Sequence, residues 1–179
     1  MIPVFLANGF EEIEALVTVD ILRRAGMCVR TIGVGGTVVE GAHSISVQAD
    51  ISEDELLEGD WEAIVLPGGM PGTLNLEKST VVQSALAYAK DRNIYIAAIC
   101  AAPSILGHAG LLKGKNATCY PGFETELDGA QYCKSGVVTD GNIITASGAG
   151  VAVEFALELV RLLDSQTTSE EIRKGIQCQ

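Results

Sequence analysis

The chain has 179 residues, 47% of them hydrophobic but only 5% aromatic. That length suits one domain spanning 1–179, with a core built mainly from aliphatic side chains and alanine. A net charge of −11 and a pI near 4.5 exclude nucleic-acid binding driven by charge, which needs Lys and Arg to neutralise phosphates.

The amino terminus, MIPVFLANGFEE, has no basic region and turns acidic at once, so no secretory signal is expected. The acidity reads as a solubility feature of a cytoplasmic protein. Residues 2–7 predict a buried strand that opens on a turn at Asn8-Gly9. Residues 11–25 carry Ile13, Leu16, Val17, Ile21 and Leu22 at helical spacing, and Gly26 ends the pattern. Three acids fall at its start. Glu11 and Glu12 complement the helix dipole, whereas Glu14 lies at the edge of the apolar stripe, where it can turn inward.

A second strand is expected over 28–34, then a small hairpin around Gly41 (37–40 and 44–47) and a short capped helix over 52–57. A third buried strand, 63–66, runs into Pro67-Gly68-Gly69-Met70-Pro71-Gly72. Glycines there let the backbone approach a ligand and turn N–H groups towards it. No GK[ST] follows, so this is not a phosphate loop.

An amphipathic helix follows over 81–92, a fourth buried strand over 94–99 and a helix over 102–109. The uncharged run Asn93–Leu112 is long enough to span a membrane, but it contains Pro103, Gly107, His108 and Gly110. A strand, a turn and a short helix account for it better, and no membrane segment is expected. Short strands are expected over 118–120, 136–139 and 143–146. The turn Ser147-Gly148-Ala149-Gly150 introduces a helix over 151–163, and a last short helix covers 169–174. Strands alternating with helices predict an α/β fold with a mainly parallel sheet covered on both faces. Its site should lie beyond the carboxyl ends of the strands.

Five cysteines, Cys28, Cys100, Cys119, Cys133 and Cys178, are odd in number and widely spaced, which argues against a disulfide framework. With two histidines and no CxxC pair, no metal site is expected. Cys100, in IYIAAICAAPS, stands where a buried strand passes directly into a helix. Ala98, Ala101 and Ala102 are small enough for a sharp nucleophile elbow. Unpaired N–H groups and the helix dipole favour a thiolate there. An inert core thiol is the alternative, and it is assigned to the other four cysteines.

An ionised Glu14 facing Cys100 would oppose that thiolate. Glu14 is therefore expected to be protonated by burial, to donate a hydrogen bond to sulfur and to act as general acid and base. Beside Cys100, the Gly68-Gly69 backbone would form an oxyanion hole. His108, eight residues past Cys100 and about 12 Å along a helix, reads as structural. The spacing places neither His43 nor Tyr120 and Tyr132 at the site.

Five segments together carry a resemblance: GFEEIEAL at 9–16, VDILRRAG at 19–26, VLPGG at 65–69, AAICAAP at 97–103 and SGAGVAVEFAL at 147–157. In this order they resemble the ThiJ/PfpI superfamily, in its DJ-one/YajL-like branch. The resemblance implies a flavodoxin-like three-layer sandwich and a homodimer that uses the first helix, including Arg24. It matches Cys100 to the nucleophile, Glu14 to the acid that hydrogen-bonds it, and Gly69 and Ala101 to backbone donors. It implies an enzyme without metal or organic cofactor, acting on methylglyoxal, glyoxal or glycated groups as a glyoxalase or a protein/nucleotide deglycase. The alternative is an oxidative-stress sensor or redox-regulated chaperone working through oxidation of Cys100. Ala101 and Tyr120 stand where some members carry histidine, which argues against a Cys-His peptidase.

Overall fold

The structure, a computed structural model, describes residues 1–178. In chain order the strands are β1 Ile2–Leu6, β2 Val29–Gly33, β3 Val38–Glu40, β4 Ser46–Gln48, β5 Ile51–Ser52, β6 Ala63–Leu66, β7 Tyr95–Ile99, β8 Asn116–Ala117, β9 Gln131–Tyr132, β10 Val137–Asp140 and β11 Ile143–Ala146. The helices are α1 Glu12–Arg24, α2 Gly72–Lys78, α3 Thr80–Asp91, α4 Pro103–His108, α5 Ala152–Leu163 and α6 Gln166–Gly175. Seven strands form the central sheet in the order β10-β11-β7-β6-β1-β2-β5. Every pairing in it is parallel except that of β10 with β11.

Alternation along the buried strands builds two cores. Ile2, Val4 and Leu6 of β1, with Ala97 and Ile99 of β7, meet Leu22 of α1 and Phe155 and Leu159 of α5 on one face. Phe5, Leu66, Ile96 and Ala98 meet Leu76 of α2, Leu86 of α3 and Ile105 of α4 on the other. Both faces being covered explains why these strands read as unbroken apolar runs. Each large side chain removed from water contributes about 2 kcal/mol, so the three layers are held by aliphatic burial. The expected flavodoxin-like α/β sandwich is the observed one.

Several local expectations need correction. Residues 118–120 are not a strand. The strand is Asn116–Ala117, pairing parallel with β9, and the next donors are diverted: Thr118 N–H to Thr145 Oγ1 at 2.9 Å and Tyr120 N–H to the Cys100 carbonyl at 2.7 Å. The 52–57 helix shrinks to one 3₁₀ turn, Glu53–Glu55, closed by a capping box between Ser52 and Glu55, with β5 just before it. Helix α2 and strand β9 are additional, and α6 is longer than its apolar residues suggest. On α1 the buried face holds Glu12, Glu14, Ala15, Thr18, Val19, Ile21 and Leu22, whereas Ile13 and Leu16 are 53% and 37% exposed. The apparent stripe thus mixes two faces, and Glu14 belongs to the inner one. The uncharged 93–112 run divides into β7, a turn and α4. Among the described residues no helix is long and apolar enough to cross a membrane.

Candidate active site around Cys100

Sheet register assembles the site. Leu66 of β6 pairs with Ala98 of β7, and Ala146 of β11 pairs with Ile99. Cys100 therefore emerges between the loop after β6 and the loop after β11, at the carboxyl edge of three parallel strands. Its backbone sits at φ +66°, a left-handed conformation that costs a non-glycine residue free energy and needs support. Support comes from both sides of the sheet edge. The Cys100 N–H donates to the Ala146 carbonyl at 2.8 Å, and the Cys100 carbonyl accepts from Tyr120 N–H at 2.7 Å. Ala98, Ala101 and Ala102 are all buried, leaving room for the sharp turn into α4, which begins with Pro103.

Glu14 reaches this elbow from α1 and is only 1% exposed. The helix start is stitched to the loop after β6: Glu11 N–H donates to the Gly68 carbonyl at 2.9 Å, and Gly72 N–H to the Gly9 carbonyl at 3.1 Å. Glu14 Oε2 accepts from Gly68 N–H at 2.8 Å. Its other oxygen, Oε1, is buried and makes no hydrogen bond of ordinary geometry, although the Cys100 thiol and the Ala149 N–H lie near the carboxyl. Of the three backbone groups expected to face the thiol, those of Gly69 and Ala101 do so, whereas Gly68 spends its N–H on Glu14.

Burial is the first cause that lifts Glu14, from an ordinary 4.5 to about 7. Burial also pushes the Cys100 thiol up to about 12, followed by the nearby Glu14 charge, against the pull of the Gly69 and Ala101 N–H groups. The sequence-based expectation of an intrinsically acidic thiol is therefore incomplete. The two groups titrate as a pair. The first proton leaves near 7, and the second is held strongly because removing it would leave two buried anions side by side. Between those limits the pair holds one proton. Moving that proton onto Glu14 removes the charge that opposes the thiolate and leaves the Gly69 and Ala101 N–H groups facing an anionic sulfur.

The loop after β11 was recognised in sequence as a helix entry but not as part of the site. It covers the thiol. A side chain at Gly148 would place its Cβ 3.3 Å from the Tyr120 ring and 4.0 Å from Cys100 Sγ. The available signal was the one already applied to the other loops, a glycine-bearing turn at the carboxyl end of a parallel strand. Tyr120, half exposed, lies over Gly148. His108 is structural here, bridging Glu77 at 2.5 Å and Glu126 at 3.1 Å. His43 is exposed and hydrogen-bonded to Glu12. Glu11, Glu12 and His43 each bring one possible ligand atom within 4.8 Å of the others. The Glu12 carboxylate is already satisfied there, by the His43 N–H at 2.7 Å and its ring Nδ1 at 2.8 Å.

Comparison with known proteins agrees with this arrangement. The DJ-1/PfpI family matches residues 1–162. Protein dj-1beta of Drosophila melanogaster is 36% identical over 97% of this chain and 94% of its own length. Deglycase PfpI of Pyrococcus furiosus is 31% identical over 88% of this chain and 95% of its own. Among solved structures, Drosophila melanogaster DJ-1beta superposes with a TM-score of 0.95 at 35% identity, covering 98% of this chain and 96% of that one. A cysteine-to-alanine mutant of a Salmonella typhimurium DJ-1 superfamily protein gives 0.93 at 36% identity, covering 98% and 97%.

Proposed function

This chain belongs to the DJ-1/PfpI family, and we propose that it is a cysteine-dependent enzyme acting on small reactive carbonyl compounds. One observation carries the reading: a buried carboxyl lifted to about 7 lies against a half-buried thiol on a strained elbow. With the proton on Glu14, the Cys100 thiolate adds to the aldehyde carbon of methylglyoxal, and the new oxyanion takes the proton. Glu14, now ionised, removes the hydrogen from that carbon and returns a proton to the neighbouring one. The product is a thioester of a 2-hydroxy acid on Cys100. Water cleaves it, releasing lactate and the thiol, so the sum is methylglyoxal plus water. The oxidation of one carbon and the reduction of the next balance within the substrate. The Gly69 and Ala101 N–H groups are placed to stabilise negative charge beside sulfur. A protein named deglycase among the relatives fits the same thiol chemistry on glycated groups.

The test is lactate formation from methylglyoxal, followed by NMR, with reduced wild-type protein and Cys100→Ala. Lactate from the wild type alone is expected. None from the reduced wild type would sink the enzyme reading and leave Cys100 oxidation, the sensor alternative, as the use of this site.

We also propose a homodimer formed through α1. Ile13 and Leu16 are exposed on it, and Val17 lines a shallow apolar cleft with Val153 and Ile176. Asp20 and Arg24, paired at 2.6 Å, edge that cleft. Light scattering should read two chains for the wild type and one for Ile13→Glu, whereas a monomeric wild type overturns the assignment.

A further inference from the structure

Away from Cys100, an open cleft of about 320 Å³ runs between the segment preceding β6 and the flank of α3. Its apolar wall is Leu56, Trp61, Val81 and Ala85. The segment that rims it, 53–60, reads EDELLEGD, with five carboxylates and no base. Two of those acids have structural duties. Glu53 accepts from Gly35 N–H at 2.8 Å and from Ser79 Oγ at 2.9 Å, and Glu55 accepts from Ser52 N–H at 3.0 Å. Asp54 and Glu58 also line the cleft, and among the described residues neither makes a side-chain hydrogen bond or an ion pair. Arg92 does not neutralise them, because it is stacked on Tyr88 at 4.1 Å from the ring centroid.

A second observation is independent of the charge. Trp61 is 6% exposed, and its indole N–H is buried without an acceptor. Buried donors left unmet are few in native proteins, and each calls for an explanation. Among the described residues only one other buried side-chain polar atom shares that condition, Glu14 Oε1 in the thiol site.

We propose that this cleft is a binding site for a small organic ammonium cation with an apolar body and a carbonyl oxygen. The ammonium group meets Asp54 and Glu58, the apolar body covers Leu56, Val81 and Ala85, and the carbonyl oxygen offers the missing acceptor to Trp61. The volume falls within the range of small-molecule sites, and apolar walls with few polar anchors are their usual construction.

The probe is leucinamide, which carries all three features, titrated into the full-length protein. Trp61 is the only tryptophan, so its fluorescence and its indole N–H resonance report on this cleft alone. A saturable shift of both signals is expected. N-acetyl-leucinamide, which has no cation, should bind at least about tenfold more weakly. The double variant Asp54→Asn/Glu58→Gln, changed only at exposed side chains, should lose about five- to tenfold in affinity together with most of the salt dependence. Cys100→Ala should bind leucinamide like the wild type. Absence of saturation, equal binding of the acetylated compound, or unchanged affinity in the double variant would each overturn the assignment.

Discussion

Glu14→Gln should lose lactate formation by about 10²- to 10⁴-fold while making the fold more stable above pH 7. Glutamine keeps the shape, and its carbonyl oxygen can still accept from Gly68 N–H, the bond that Glu14 makes at 2.8 Å. It cannot carry a proton between substrate carbons. The stability change has the opposite sign and a defined window. Burial raises the folded-state pKa of Glu14 from 4.5 to about 7. A raised carboxyl contributes stability that is complete below the unfolded value and lost as pH rises through the folded one. The ionised group at pH 8 therefore costs on the order of 3 kcal/mol, a cost that glutamine does not incur. Urea unfolding at pH 4.5 and pH 8 reads this directly. The wild type should lose ground to Glu14→Gln between those points. The thiol should change as well, since the Glu14 charge is the next cause after burial that holds Cys100 near 12, and without it the thiol becomes more acidic. A fully active variant, or parallel stability at both pH values, would separate Glu14 from the chemistry.

The same carboxyl marks how far sequence reasoning reached. Strands β6 and β11 were legible to the residue, because an apolar run buried on both faces has one reading once turn residues bound it. The elbow was legible for a similar reason: small residues flank Cys100, and a proline sits at the first position of the next helix. Glu14 was legible only as an irregularity on an otherwise amphipathic helix. Its depth, and the lift that burial gives it, depend on Gly68 and Cys100, which lie 54 and 86 positions away along the chain. Periodicity gave no hint of the thiol's high pKa either, since that value is a property of the pair. Elements such as β5 and β9, with two residues each, are held by pairing partners and not by their own composition, so no local signal announces them. In α1 the outward Ile13 and Leu16 completed a plausible stripe, and composition alone does not say which of two adjoining apolar faces meets the core.

Gly68→Ala is expected to damage the site more than its single methyl suggests. The new Cβ would stand 2.6 Å from Cys100 Cβ, 2.8 Å from Glu14 Oε2 and 2.9 Å from the Ile99 carbonyl oxygen. The Ile99 carbonyl belongs to β7, locked between β6 and β11, and cannot withdraw. The Cys100 backbone is fixed by its bonds to Ala146 and Tyr120, at 2.8 and 2.7 Å. Glu14 is the neighbour with rotatable bonds, so it must swing aside and release Gly68 N–H. Overpacking of this kind costs about 1–3 kcal/mol. The catalytic loss should be larger than that stability loss implies, because displacing a proton-transfer group by about 1 Å can cost about 10²-fold. Gly59→Ala is the control: nothing lies within 4 Å of its added Cβ, so it should keep both stability and activity. Thermal unfolding, lactate formation and alkylation of Cys100 measured on both variants separate the causes. A folded Gly68→Ala protein with lost lactate formation and altered thiol reactivity would show that the position serves the Glu14–Cys100 contact. Wild-type behaviour on all three measurements would mean that the close approach at Gly68 is not what holds the pair together.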